Sequence, residues 1–158
     1  MNNKLADDLI IRKLTDSENI PFDLLLLADP SKEVIETYLP LATKYIAELD
    51  GEILGIFLLI KLDESSIEIK NICVKETYQN RGIGTLMLKK ALLIAKEEGY
   101  KKMIISTANS SIKQLRLYQR LGFEIIEIKK NFFIENYDEP IFENGTQAKD
   151  LIVHCLRL

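Results

Sequence analysis

The sequence predicts an α/β (α+β) protein: a mixed, mostly antiparallel central sheet of about seven strands flanked by about four helices. Three observations predict it. Two runs of strand formers, Tyr45 to Leu49 and Ile53 to Leu62, are joined by Asp50-Gly51, the strongest short-range hairpin signal. Beyond residue 81 the periodicity changes, and helices alternate with strands twice. Finally, 158 residues with 47% apolar and 28% charged side chains suit one domain, residues 1–158. A chain of that size hides roughly two thirds of its unfolded surface.

The elements follow in order. Leu9 to Lys13 reads as a first strand, and Ile20 to Ala28 as a helix with Pro21 near its first turn. Residues 31–39, SKEVIETYL, read as a second short helix capped by Ser31. The Asp50-Gly51 hairpin continues through a turn at 63–66 into Ile67 to Val74, an antiparallel meander of three strands. Gly82 to Glu98 carries Ile83, Leu86, Met87, Lys90 and Ile94 at helical spacing, and Gly99 closes it. Lys101 to Thr107 is a strand. Ser110 to Leu121 is a helix started by Asn109 or Ser110 and stopped by Gly122, and Phe123 to Ile128 is a strand. Residues 130–147 are aromatic and acidic, with an Asn144-Gly145 turn. Lys149 to Leu158 is a last strand, which could pair with a second subunit, so monomer and homodimer are both allowed.

Composition removes several functions. The net charge is −3, which argues against a general nucleic-acid binder and suits a cationic small molecule or peptide. Cys73 and Cys155 are the only cysteines, and His154 is the only histidine. A zinc site or a histidine-dependent triad is therefore nearly excluded, and no metal is expected. The stretch MNNKLADD lacks a basic-then-apolar signal pattern, and the apolar run Ile53 to Ile60 is far too short for a membrane span. A cytoplasmic protein with no membrane partner is expected.

Chemistry enters at residues 79–84, QNRGIG. Gly82 and Gly84 strip side chains from the first turn of a helix, exposing the N–H groups of 81–86 beside its positive dipole end. The natural guest is a phosphate or pyrophosphate. A nucleotide P-loop is absent, and Met87 stands where G-x-G-x-x-G needs its third glycine. A second element follows in residues 107–125: Asn109 at a strand end, Tyr118 on the next helix, and Leu121-Gly122-Phe123 at its exit.

In this order and spacing, QNRGIG followed by Asn, Tyr and LGF resembles the GCN5-related N-acetyltransferase (GNAT) superfamily, over Leu9 to Leu158. The tail FFIENYDEPIFENG is similar to that of an uncharacterised bacterial branch. The resemblance implies acetyl-CoA as cosubstrate and a primary amine of a small molecule or peptide as acceptor, joined by direct transfer in a ternary complex. It implies that Gln79, Arg81, Gly82, Ile83, Gly84, Thr85 and Leu86 wrap the pyrophosphate. Cys73 and Val74 would bond the pantetheine arm through their backbone, where a bulge aims an N–H at the thioester oxygen. Asn109 would bond the pantetheine or order a water, and Tyr118 would protonate the departing thiolate. Glu68 matches the general base of the histone-acetyltransferase branch, although strand alternation puts Lys70 on the same face, where the two could simply pair. Glu135, Asp138, Glu139 and Glu143 are further candidates, as is a chain of waters. Such a base matters because an alkyl amine of pKa about 10.4 is neutral only about once in 2,500 at pH 7.

The structural alternatives are plain. Gly82 and Gly84 could be only a turn, Tyr118 a packed helix residue, Asn109 a helix cap and Cys73 a small apolar strand residue. Two other functions compete: a non-catalytic acyl-CoA-binding sensor or interaction module, and a dinucleotide-dependent oxidoreductase. The latter needs a parallel sheet and a full glycine fingerprint.

Overall fold

Alternating side chains of strand β3 (Glu52–Lys61) decide the layering. Ile56 and Leu58 point into one apolar cluster and Phe57 and Leu59 into another, all four almost wholly buried. Each such burial contributes roughly 1.5–3 kcal/mol, so both faces of the sheet must be covered. The computed structural model describes residues 3–158 and shows how. Helices α2 (Phe22–Ala28) and α3 (Lys32–Tyr38) cover one face through Leu24, Leu25, Ile35 and Tyr38. The other face is covered by α4 (Ile83–Glu97), which buries Ile83, Met87, Leu88, Ala91, Ile94 and Ala95, and by Tyr118 of α5 (Ile112–Arg120).

The sheet runs β1-β2-β3-β4-β5-β9-β6, with β1 (Ile10–Lys13), β2 (Thr43–Leu49), β4 (Ser66–Val74), β5 (Lys102–Ala108), β6 (Glu124–Lys129) and β9 (Leu151–Arg157). The expected hairpin is present, with Asp50 and Gly51 both left-handed at φ 50° and 82°. Among the described residues only β4 and β5 are parallel. One parallel pair leaves no doubly wound sheet for the oxidoreductase reading. Strand β9 is paired on both sides, by β5 and β6, so it is not open to a second subunit as the sequence suggested. Strand β6 is the edge instead.

Strands β4 and β5 pair only from Ser66↔Lys102 to Ile69↔Ile105, then part. The cause lies across the sheet. The β3–β4 register steps from Leu58↔Asn71 to Leu59↔Ile69, which leaves Lys70 as an extra residue. Such a bulge bends its strand and disturbs pairing locally. It lies at Lys70, earlier than the Cys73–Val74 position expected, and it reverses the alternation beyond it. Glu68 therefore shares a sheet face with Asn71 and Cys73.

Two helices and a hairpin exceed the sequence expectation, which makes six α-helices among the described residues. Helix α1 (Asn3–Asp8) precedes β1, and Leu5 and Leu9 pack on the α4-side core. Helix α6 (Phe132–Asn136) and the hairpin of β7 (Phe142–Glu143) and β8 (Thr146–Gln147) organise the aromatic-acidic segment, with Asn144 and Gly145 at its turn.

Candidate active site

The loop before α4 is turned by two left-handed residues, Asn80 at φ 61° and Gly82 at φ 83°. The first α4 bond runs from Leu86 N–H to Gly82 O at 3.1 Å. The amides of Ile83, Gly84 and Thr85 are thus left for an external acceptor, while that of Leu86, expected among them, is used by the helix. A Cβ on Gly84 would meet only Val74 Cγ2, at 3.8 Å, which is ordinary contact. Protein packing does not demand glycine there. Gln79 Nε2 donates to Val74 O at 3.0 Å and ties the loop to the end of β4. Arg81 lies over the Tyr78 ring, 5.1 Å from its centroid, and does not line the groove.

Across that groove from Gly82, Gly84 and Thr85 stand Lys113, Arg116 and Arg120 of α5. Lys113 Nζ donates to Asn80 Oδ1 at 3.4 Å, and none of the three forms an ion pair among the described residues. The sequence reading missed them. Their signal was spacing by three and four along one helix face, opposite the buried Tyr118.

From this groove a cavity of about 260 Å³ enters the gap between β4 and β5, lined by Ile72, Cys73, Val74, Gly84, Leu117 and Tyr118. Lys75 N–H bonds Leu54 O at 2.7 Å, and Cys73 pairs with Ile56 two residues along. Antiparallel alternation therefore turns the backbone polar groups of Cys73 toward β3, and those of Ile72 and Val74 toward the gap. Of the two residues expected to offer backbone groups, Val74 thus turns them to the gap and Cys73 turns them to β3, while Ile72 faces the gap beside Val74. The Cys73 thiol donates to Leu24 O at 2.6 Å, and burial pushes it up to about 12. It is a neutral thiol, not a nucleophile.

Tyr118 closes the gap. It is 4% exposed, lines both this cavity and a second one of about 240 Å³, and packs against Phe123 and His154. Burial alone raises its phenol, which stays protonated throughout the physiological range. Glu68 and Lys70 line the second cavity, their charged atoms 3.8 Å apart. Burial raises the Glu68 carboxyl, and Lys70 and Lys129 only partly oppose it. The expected pairing is therefore present but loose. Of the tail acids, Glu143 lines this cavity and accepts from Ser111 Oγ at 2.7 Å and Ser110 Oγ at 3.3 Å; Glu135, Asp138 and Glu139 do not line it.

Asn109, expected at the cofactor, is used elsewhere. Its Oδ1 accepts from Lys149 N–H at 2.8 Å and Asp150 N–H at 3.0 Å, and its Nδ2 donates to Gln147 O. It fastens the entry to β9 and lines neither cavity. It does not cap α5 either; Ser111 holds that position. Among the described residues no group of three His, Cys, Asp or Glu could hold a metal, and no helix is long and apolar enough to cross a membrane.

Known proteins share this fold. A sequence profile of the Acetyltransferase (GNAT) family matches residues 12–123. The chain is 45% identical over 131 residues to the uncharacterized N-acetyltransferase YvbK of Bacillus subtilis, covering 83% of this chain and 84% of that protein. The crystal structure of a GNAT family acetyltransferase from Elizabethkingia anophelis, with acetyl-CoA bound, superposes with a TM-score of 0.94 at 49% identity, covering 96% and 99% of the two chains. A Bacillus subtilis acetyltransferase in complex with CoA superposes at 0.88 with 42% identity, covering 95% and 99%. The chain therefore belongs to the GNAT family of acetyltransferases.

Proposed function

We propose that this protein moves an acetyl group from acetyl-CoA to a primary amine of a small molecule or peptide, by direct transfer in a ternary complex. The observation that carries the reading is a run of adjoining hollows: an open groove at the α4 N-terminus shares Gly84 and Leu117 with the cavity in the β4–β5 gap, which in turn shares Ile72 and Tyr118 with the second cavity. Similar solved proteins hold acetyl-CoA or CoA.

In this reading the amides of Ile83, Gly84 and Thr85 receive the pyrophosphate at the positive end of α4. Lys113, Arg116 and Arg120 supply the opposing charge, Gln79 holds the loop, and Arg81 adds charge at the rim. The amides of Ile72 and Val74 bond the pantetheine arm and the thioester oxygen. A preorganised donor aimed at that oxygen is usually among the largest catalytic terms. Glu68, raised by burial, takes the proton from the incoming ammonium directly or through water. The amine lone pair attacks the thioester carbon, the C–S bond breaks as Tyr118 gives its hydroxyl proton to the sulfur, and the second proton shed by the acylated nitrogen restores the Tyr118 hydroxyl, directly or through water. No acyl-enzyme forms, because Cys73 is a neutral, buried thiol.

Residues 1–158 act as one domain in this reading. Free thiols at Cys73 and Cys155 accord with the reducing cytoplasm. The test is thiol release from acetyl-CoA across a panel of amines, with the product mass measured. Amine-dependent release with an acetylated amine is expected. Cofactor binding with no turnover on any amine would instead favour a non-catalytic sensor.

A further inference from the structure

The second cavity is built to accept hydrogen bonds and positive charge. Three carboxylates line it, Asp29, Glu68 and Glu143, against one ammonium, Lys70, which is already engaged with Glu68 and the Tyr38 ring. Asp29 is 9% exposed and forms no ion pair among the described residues. Its Oδ2 accepts from Tyr38 Oη at 3.0 Å; its Oδ1 accepts from Tyr137 Oη at 2.9 Å and Ser31 N–H at 3.2 Å. These bonds fix a buried negative charge without neutralising it.

An independent feature points the same way. Asn71 is 5% exposed and lines the same cavity. Its Nδ2 donates to Leu25 O at 3.2 Å and Tyr38 Oη at 3.1 Å, while its Oδ1 has no partner. A buried acceptor is costly to leave unmet. The remaining wall is aromatic, from Tyr38, Phe132, Phe133 and Tyr137, and such rings hold cations on their faces.

We infer that the acceptor of this enzyme is a diamine: one nitrogen reacts between Glu68 and Tyr118, and a second, protonated nitrogen sits among Asp29, Glu143 and the aromatic wall. The inference rests on the proposed acetyl transfer, which supplies the first nitrogen's position. No chemistry occurs at the second nitrogen; it is an anchor.

The test separates the two claims. Calorimetry on the CoA-loaded protein compares 1,4-diaminobutane and 1,6-diaminohexane with the monoamine of the same chain. At least one diamine should bind tenfold or more tightly than its monoamine, and the preference should shrink with added salt. Asp29→Asn and, outside the Tyr38–Asp29–Tyr137 hub, Glu143→Gln should each bring the ratio toward one. Equal affinity for diamine and monoamine, or a ratio untouched by both substitutions, overturns the inference. Turnover is read separately by CoA release. If both amine types are acetylated equally well, the diamine assignment fails while acetyl transfer stands. If diamines bind selectively but no amine is acetylated, the cation site stands and the transferase reading falls.

Discussion

Tyr118 stands edge-on to His154, with ring centroids 5.4 Å apart and planes at 79°. His154 is wholly buried, its Nδ1 3.2 Å from Ile152 O, and burial holds its pKa below the ordinary value, so it is neutral at pH 7. With Phe123 on another side, 6.0 Å away, the Tyr118 ring is packed between two neighbours, and the residue lines both cavities. Tyr118→Phe keeps the ring and removes the proton. Turnover should fall roughly 10²-fold while acetyl-CoA affinity changes little. Steady-state kinetics beside calorimetry checks this; a kcat within about threefold of wild type removes Tyr118 from the acid role.

Glu68 predicts a pH signature. A base must be ionised, and burial raises this carboxyl. As pH falls through the raised pKa, Glu68 takes up a proton, so kcat/KM should drop along an acid limb centred above the ordinary glutamate value of about 4.3. Glu68→Gln should flatten that limb and lower the rate at pH 7. Stability should move the other way. A carboxyl whose folded pKa is raised loses stability as pH climbs from the unfolded value through the folded one. At pH 7 the Gln variant should therefore melt no lower than wild type. An acid limb that survives the substitution assigns the base elsewhere.

Gly84 separates folding from binding. With only Val74 Cγ2 near its missing Cβ, Gly84→Ala should be tolerated, and alanine's helix preference favours the variant by up to about 1 kcal/mol. The same methyl would crowd the turn whose amides are proposed to receive phosphate. The expected pattern is an unchanged or higher melting temperature with acetyl-CoA affinity weakened about tenfold, or about 1.4 kcal/mol. Lys113→Ala with Arg116→Ala should weaken binding and flatten its salt dependence. Full affinity in Gly84→Ala would mean that no guest approaches that turn.

Cys73 predicts a negative result with a positive control. Its thiol is buried, donates to Leu24 O and is pushed up to about 12. Incubation with acetyl-CoA and no amine at pH 7 should leave the intact mass unchanged, while the free amine product gains an acetyl group when amine is supplied. A stable protein adduct that hydroxylamine removes and Cys73→Ala abolishes would replace direct transfer with a covalent route.

What the sequence made legible was local. Asp50-Gly51 announces a hairpin because both residues must take positive φ. Helix α4 runs fifteen residues with an apolar repeat, and Ser31 caps α3 with a 3.3 Å bond from Val34 N–H. The QNRGIG loop and the helix that carries Tyr118 could be placed because their start and stop signals are local. The rest depends on partners far along the chain. The bulge at Lys70 exists only against β3, and it decides that Ile72 rather than Cys73 faces the gap. The placement of β9 between β5 and β6 diverts Asn109 to its entry strand. The Asp29 hub joins residues 108 apart, and α6 has five residues, too few for a periodic signal.

The first measurement to make is the titration of acetyl-CoA into the protein, paired with thermal unfolding and with NAD as control. Saturable binding of acetyl-CoA alone is predicted, and at a hundred times its dissociation constant it should add about 2.7 kcal/mol of stability, a rise of several degrees in Tm. No heat and no shift at millimolar acetyl-CoA would mean that the turn at Gly82–Gly84 has no phosphate guest, and acetyl transfer by this protein would be contradicted.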